Sequence, residues 1–380
     1  MRNSGERRLQ NFITAFCTAC FAIFSFTFIA IYKSPLIEMV YNSVATGKLQ
    51  YNGYVLSGVV TAILVGLALW LNRFAKFQRE WTAMAFLPSA LLLAFLTDIE
   101  RTIFVGNGSL VEWAWIFVIG IAFYLFLSFL LARILFKKIK NPTMVANRIV
   151  WRNLVLLTLT FLSIGYLSGG DKNFMREAVQ YKYYCKGDAD AALAVGAHSP
   201  LASQQITAQR AFLLSLKGEL GERLFEYPQY YGADGLLPTA VRTMPVVPDS
   251  IYSHIGLSRA VGESVTDFLA RAVGGDSVSI VAQEYYLSSL LLERRIVDFA
   301  DKVYEFYNVS DELPKHYKEA LVLYSYIVPE YSLAFNADDM SASLKSMIEA
   351  VKHKGKASVF SAQLQAEYGN TYWWYFLYGE

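Results

Sequence analysis

The chain has 380 residues, of which 54% are hydrophobic and 17% charged, and its formal net charge at pH 7 is +2. That total conceals two unlike halves. Residues 1–170 carry 15 Lys and Arg against 6 Asp and Glu, a net charge of +9, whereas residues 171–380 carry 19 against 26, a net charge of −7. The acidic second half lacks the clustered basic side chains that phosphate contacts require, so no nucleic-acid partner is expected.

Residues 1–170 predict about five transmembrane helices, near residues 12–32, 53–71, 82–97, 113–132 and 153–170. None of these runs contains Asp, Glu, Lys, Arg or His, and as a helix the longest run is sufficient to cross ~30 Å of hydrocarbon. The third run is the shortest and contains Pro88, which predicts a kink because proline removes a helical hydrogen bond. The lack of charge within the runs argues against an ion-coupled or proton-coupled carrier acting alone.

The basic residues that flank these runs predict the orientation of the chain. Twelve Lys and Arg residues lie in the N-terminal tail and in the second and fourth connections, against three in the alternate connections, namely Lys33, Lys48 and Arg101. Basic residues collect on the cytoplasmic side of a membrane. The N-terminus is therefore expected in the cytoplasm and residues 171–380, after five crossings, on the outer side.

Four charged residues are predicted at the outer ends of the membrane helices, where they form a possible outer-face polar cluster: Asp98, Glu100, Arg101 and Glu112. Carboxylates in this position suit a general base acting on a lipid-linked donor. The alternative is that they are solvated charges of the connecting loops.

Residues 171–380 predict a second, soluble domain of short amphipathic helices. The stretch Lys186–Ala192 resembles the turn between the two helices of a tetratricopeptide repeat, with Gly187 at the turn. Gly218 matches this glycine in a second copy, and Arg295 replaces it in a third. The resemblance implies an all-α fold in which helical hairpins stack into a curved array. An irregular helical bundle is the alternative.

Two aromatic segments of this domain are candidates for contact with a partner. Tyr227–Tyr252 contains four prolines and predicts an ordered, non-helical excursion. Tyr368–Tyr378 contains seven aromatic residues and is expected either to cap the array or to lie on the membrane surface. The candidate partner-binding residues are Tyr183, Tyr230, Tyr231, Tyr285 and Tyr286, with burial of these rings between helices as the alternative.

Three stretches, Leu216–Leu237, Leu313–Tyr324 and Tyr368–Tyr375, resemble an uncharacterised family of Gram-negative proteins. Its members have several membrane spans followed by a degenerate tetratricopeptide-like domain. The resemblance implies a bacterial inner-membrane protein with residues 171–380 in the periplasm. It implies no activity.

The sequence contains no HExxH, no glycine-rich phosphate loop and no GxSxG motif. No catalytic residue, metal site or cofactor is predicted, and enzyme activity is not expected. The predicted function is that of a membrane-anchored envelope scaffold or adaptor, whose outer helical domain binds a protein or peptide. The alternatives are a membrane enzyme acting on a lipid-linked or glycan substrate, and an accessory subunit of a transport or secretion complex.

Overall fold

The structure of the protein is a computed structural model that describes residues 2–44, 51–75, 79–99, 114–120, 142–197, 202–238, 247–275, 279–308, 312–354 and 358–379, together with the single residues 122, 126 and 199. Every regular element in these residues is helical, as the all-α prediction requires. The chain forms two compact units, Met1–Lys182 and Tyr183–Glu380. The boundary therefore lies a little after the predicted position at residue 170.

The N-terminal unit consists of the following elements. Helix α1, Arg2–Thr27, continues as a π-helix, Phe28–Tyr32, and is followed by α2, Ser34–Val44, and α3, Gly53–Ala75. A 3₁₀ helix, Arg79–Phe86, leads into α4, Leu87–Thr97. Helix α5 covers Pro142–Leu167, and α6, Lys172–Cys185, runs across the boundary between the units.

Within the described residues, three helices are long and apolar enough to cross a membrane: Arg7–Tyr32, Gly53–Phe74 and Arg148–Leu167. They agree with the first, second and fifth predicted spans. The third predicted span is part of a shorter apolar stretch, Trp81–Thr97. The fourth, 113–132, lies outside the described residues except for the helical residues 114–120, 122 and 126.

Pro88 lies at the start of a helix and not within a continuous span, as the predicted kink assumed. Pro88 lies in the first turn of α4, where a backbone N–H has no partner within the helix, so that proline removes no hydrogen bond. The preceding 3₁₀ helix contains Trp81 in a non-helical conformation, with φ −130° and ψ 18°. The segment is therefore two short helices joined end to end.

Helices α1, α4 and α5 run in the same direction, and hydrogen bonds near their N-terminal ends fix their register. The side-chain amide of Gln10 on α1 donates to the hydroxyl of Thr82, at 3.4 Å. One residue further along, the backbone N–H of Ala83 donates to the fully buried side chain of Asn153 on α5, at 2.8 Å. The C-terminal part of α3, at Asn72, lies beside the N-terminal half of α1, so α3 runs in the opposite direction.

The C-terminal ends of the three parallel helices meet near Lys33, which is only 1% exposed. Its ammonium group donates to the backbone carbonyl of Ser168, immediately after α5. Burial lowers the pKa of Lys33, and the charge of Asp98 at the end of α4 opposes that effect. Because helix C-termini carry partial negative charge, a single cation stabilises the assembly of these three ends.

The C-terminal unit contains helices α7 to α17. They are α7, Ala189–Ala194; α8, Gln204–Lys217; α9, Leu220–Arg223; α10, Val247–Ile255; α11, Val265–Val273; α12, Ile280–Leu292; α13, Ile296–Phe306; α14, Lys315–Ile327; α15, Asp338–Lys354; α16, Ser358–Tyr368; and α17, Tyr372–Tyr378. Two short 3₁₀ helices, Leu224–Glu226 and Gly232–Leu236, lie between α9 and α10.

The three predicted hairpin turns share one backbone geometry. Gly187, Gly218 and Arg294 have positive φ, of 74°, 66° and 58°. In each case the amide of the following residue reaches back to a helix carbonyl five residues earlier, at 3.1, 2.8 and 2.9 Å respectively, which is the Schellman ending of a helix. The predicted assignment of Arg295 to the glycine position is wrong by one residue, because Arg294 adopts the left-handed conformation.

Only the first part of the predicted non-helical excursion after α9 lacks an α-helix. Residues 227–238 contain the second 3₁₀ helix and otherwise extended or irregular backbone. Helix α10 begins at Val247, so the predicted excursion Tyr227–Tyr252 extends too far, and Tyr252 is helical. A proline at residue 248 lies in the first turn of α10, where it is compatible with a helix.

Candidate functional site

A cleft of about 700 Å³ lies on the C-terminal unit between two segments that are far apart in sequence. One wall is formed by residues 225–230, and the other by the end of α16 and by α17, within residues 365–379. Six aromatic residues contribute to the lining: Phe225, Tyr227, Tyr230, Trp374, Tyr375 and Tyr378. The volume lies within the range of roughly 300–1,000 Å³ that is typical of ligand pockets.

Two arginines hold the first wall in place. Arg223 donates to the carboxylates of Glu219 and Glu226, both at 2.9 Å, and to the hydroxyl of Tyr227 at 3.3 Å. The guanidinium of Arg210, which is 2% exposed, lies 5.1 Å from the centre of the Tyr227 ring. The backbone at Tyr227 is thereby fixed in an extended conformation, with φ −107° and ψ 146°.

The first wall also presents a buried hydrogen-bond acceptor. Gln229 lines the cleft and is 7% exposed. Its side-chain N–H donates to the carbonyl of Leu224 at 2.8 Å, whereas its Oε1 receives no hydrogen bond from the described residues. A buried acceptor without a donor costs about 1–3 kcal/mol, and this oxygen has no surface that is accessible from the cleft.

The periodicity of α17 determines which of its rings face the cleft, namely the half-buried Trp374 and the exposed Tyr378. The hydroxyl of Thr371 caps the helix by accepting from the amide of Trp374 at 3.2 Å. Tyr372 and Tyr375 are buried, 0% and 8% exposed, and of the two only Tyr375 borders the cleft. Trp374 and Tyr378, one turn apart, lie on the cleft side with ring centroids separated by 4.5 Å.

Both walls are fixed to one turn of α14, where Glu319 is 3% and His316 0% exposed. The Glu319 carboxylate accepts from the backbone N–H of Tyr372 at 2.7 Å and lies 2.9 Å from His316 Nδ1. The Glu319 carbonyl accepts from the indole N–H of Trp373 at 2.7 Å. On the other side, His316 Nε2 accepts from the backbone N–H of Phe225 at 3.3 Å.

A carboxylate–imidazole pair of this kind also occurs in catalytic sites, but here its geometry is structural. Because His316 Nε2 accepts from the Phe225 amide, the proton of the neutral ring lies on Nδ1 and is donated to Glu319. Both nitrogens are therefore engaged below the cleft. The described residues also contain no group of three His, Cys, Asp or Glu that would hold a metal ion. The arrangement positions the walls of the cleft.

The model of a family of unknown function, DUF6057, matches residues 8–264 and 267–379 of the chain. The chain belongs to this family. The predicted membership of an uncharacterised family is thereby confirmed, and the match includes both walls of the cleft. No curated protein and no solved structure matches the chain.

In this DUF6057 protein the five tyrosines singled out from the sequence have different environments. Tyr230 is 50% exposed and lines the cleft. Tyr231, 40% exposed, is its neighbour but is not part of the lining, and Tyr183 is half-buried on α6. Tyr285 and Tyr286 are 0% and 8% exposed on α12, so they pack between helices and present no surface to a partner.

The predicted outer-face polar cluster is described only at Asp98, which is half-buried at the end of α4. Glu100, Arg101 and Glu112 lie outside the described residues. The structure adds Lys33, which the sequence reasoning counted only as a flanking charge. Its position directly after a long apolar run was the available signal.

Proposed function

We propose that this DUF6057 protein is a membrane-anchored adaptor that binds a partner protein through the aromatic cleft of its C-terminal unit. The observation that carries the proposal is the fixed arrangement of rings that line the cleft, with the exposed Tyr230 on one wall and the half-buried Trp374 and exposed Tyr378 on the other. Aromatic residues dominate the binding energy of many protein interfaces. A cleft fixed before binding spends little free energy on ordering its own side chains.

We further propose five membrane crossings with the N-terminus in the cytoplasm. Helices α1, α4 and α5 run parallel, which supports this number of crossings. The chain returns to its starting side through α3 between α1 and α4, and it must return once more between α4 and α5. The basic residues Arg7, Arg8, Arg73, Arg148 and Arg152 lie at the N-terminal ends of α1 and α5 and at the C-terminal end of α3. These ends form one face, and the positive-inside rule assigns that face to the cytoplasm.

The proposed location is the inner membrane of a Gram-negative bacterium, with the cleft on the periplasmic side. The proposed arrangement of the C-terminal unit is a degenerate tetratricopeptide-like array. The shared Schellman geometry at Gly187, Gly218 and Arg294 supports it, because equivalent turns between helices are what repeated hairpins require.

The test is copurification of crosslinked full-length protein from cells. The Tyr230→Ala/Trp374→Ala double variant is compared with Tyr326→Ala, a control that removes another exposed tyrosine, 46% accessible, outside the cleft lining. A partner that uses the cleft should be recovered about tenfold less with the double variant and undiminished with the control. Equal recovery of every partner with the double variant and the wild-type protein would overturn the proposal.

A further inference from the structure

The chemistry of the cleft indicates which class of ligand the partner presents to it. This inference rests on the proposed function. We propose that the cleft binds a proline-rich segment that carries Lys or Arg and adopts the polyproline II conformation. Three features of the lining lead to this ligand: the spacing of the rings, the hydrogen-bonding groups between them, and the sign of the charge.

The rings of the lining form two walls of the kind that proline side chains occupy. Trp374 and Tyr378 lie side by side along α17, with their centroids 4.5 Å apart, and Tyr230 lines the opposite wall. A polyproline II helix has three residues per turn and a rise of about 3.1 Å, so its successive rings form ridges that fit between aromatic side chains. Because such a segment is already extended in solution, it loses little conformational entropy on binding.

The polar groups of the cleft complement the backbone of such a segment. Prolines have carbonyl oxygens but no N–H, so the ligand needs donors from the protein. The exposed amide side chains of Gln365 and Asn370 lie at the edge of the second wall and supply them.

The charge of the lining determines which sign of charge on the ligand is favoured. Glu226, whose carboxylate bonds Arg223 at 2.9 Å and keeps 36% of its side-chain surface exposed, is the one charged residue among the described lining residues. No Lys, Arg or His lines the cleft, and residues 171–380 carry a net charge of −7. A ligand with phosphate or carboxylate groups is therefore disfavoured, and a basic one is favoured. A neutral glycan would use the rings and amides but would gain nothing from this charge.

Fluorescence anisotropy of full-length protein in lipid nanodiscs tests the inference with three labelled peptides of equal length. Repeating Pro-Pro-Lys triplets are the expected ligand. Gly-Ser-Lys triplets keep the charge without the polyproline conformation, and Pro-Pro-Glu triplets keep the conformation with the opposite charge. The Pro-Pro-Lys peptide should bind about tenfold more tightly than either control, and Trp374→Ala should weaken its binding about tenfold.

The variant Glu226→Gln separates charge from shape. It should weaken the Pro-Pro-Lys peptide several-fold and leave a Pro-Pro-Gln peptide unaffected. If the Gly-Ser-Lys peptide bound as tightly as the Pro-Pro-Lys peptide, the assignment of ligand class would be overturned. The same holds if a neutral oligosaccharide were the only competitor that displaced the Pro-Pro-Lys peptide. If no peptide binds although copurification still depends on Tyr230 and Trp374, the ligand class is wrong and the adaptor function stands. Loss of that dependence contradicts the function itself.

Discussion

The carboxylate of Glu319 on α14 accepts a hydrogen bond from the backbone amide of Tyr372, the first residue of α17, at 2.7 Å. This places a buried negative charge at the N-terminus of a helix of only seven residues. Such a short helix is marginal in isolation, and an anion at its first turn satisfies an otherwise unpaired amide and interacts favourably with the helix dipole. The position of Trp374 and Tyr378 in the cleft therefore depends on a side chain that does not line it.

Replacement of Glu319 by Ala is expected to destabilise the C-terminal unit by about 3 kcal/mol, because it leaves the amide of Tyr372 and the ring N–H of His316 without their acceptor. Hydrogen exchange of α17, followed by mass spectrometry on the full-length protein, should show the greatest loss of protection. Glu305→Ala is the matched control, since Glu305 forms an exposed ion pair with Lys302 at 2.7 Å. Equal protection of α17 in the two variants would contradict the assigned role of Glu319.

Gly221 on α9 permits a close approach to α14. A Cβ atom at this position would lie 2.7 Å from Tyr317 Cζ and 3.0 Å from Pro314 Cβ, and both neighbours are fixed by packing. Gly221→Ala is expected to destabilise the unit by about 1–3 kcal/mol. Gly274→Ala serves as the control, because its added Cβ would make only ordinary contacts, the nearest at 3.4 Å from the Ala270 carbonyl. The two thermal unfolding midpoints should differ, and coincidence would refute the steric argument.

The stability of the C-terminal unit should depend on pH through Glu284 on α12. Burial raises the pKa of Glu284 to about 7, although the Tyr307 hydroxyl, which donates to it at 3.4 Å, partly opposes this. An acid whose pKa is higher in the folded state favours folding when it is protonated. Its contribution is therefore complete below an ordinary glutamate pKa of about 4.5 and is lost as the pH rises to about 7, with a magnitude on the order of 2 kcal/mol.

Glu284→Gln removes the titration and keeps a hydrogen-bond acceptor for Tyr307. The variant should therefore be more stable than the wild-type protein at pH 8 and show little difference at pH 5. Unfolding midpoints measured at both values provide the test. An unchanged slope of stability against pH in the variant would show that another group is responsible.

Lys33→Met should destabilise the N-terminal unit by about 3 kcal/mol, because it removes the cation next to the Ser168 carbonyl, a cation that also interacts with the charge of Asp98. The double variant Lys33→Met/Asp98→Asn should recover part of that loss. The measurement is the fraction of protein that remains monodisperse in detergent after heating. Lys182→Met is the control, since Lys182 is more exposed and lies 3.6 Å from Glu38. No recovery in the double variant would exclude coupling between Lys33 and Asp98.

The proposed orientation predicts which thiol reacts with an impermeant maleimide. Cys185 is exposed, whereas Cys17 is buried within α1 and Cys20 lies in the same apolar span. Intact spheroplasts should be labelled, and Cys185→Ser should abolish the labelling. Labelling that appears only after the inner membrane is broken would reverse the proposed orientation.

Much of the architecture was accessible from local sequence signals. Apolar runs identified the long membrane helices, and Gly187 and Gly218 identified two helix ends, because glycine adopts positive φ without a steric penalty. Arg294 was missed at the third turn since its side chain gives no such signal, and tertiary packing imposes the left-handed conformation there. Pro88 was misplaced within its helix because the proline itself does not reveal whether a helix begins at it or passes through it.

The candidate cleft was only half accessible from sequence. The aromatic content of residues 227–231 and 368–378 indicated two contact segments, but no periodicity relates one to the other. Their meeting depends on His316 and Glu319, which look like ordinary polar positions of an amphipathic helix. Likewise, Tyr230 and Tyr285 are the same residue type, and only the tertiary structure shows that one is exposed and the other buried.

The anchoring of both walls to α14 also has a consequence for the order of events during synthesis. The first wall, α14 and α17 emerge from the ribosome in that order, separated by most of the C-terminal unit. Domains fold as units while their chains are being made, and contacts between distant segments form late. A nascent or prematurely ended chain can therefore insert its membrane helices while it still lacks a complete cleft. Under the proposed function, the protein acquires the capacity to bind a partner only once α17 has been made, and unfinished molecules do not compete for that partner.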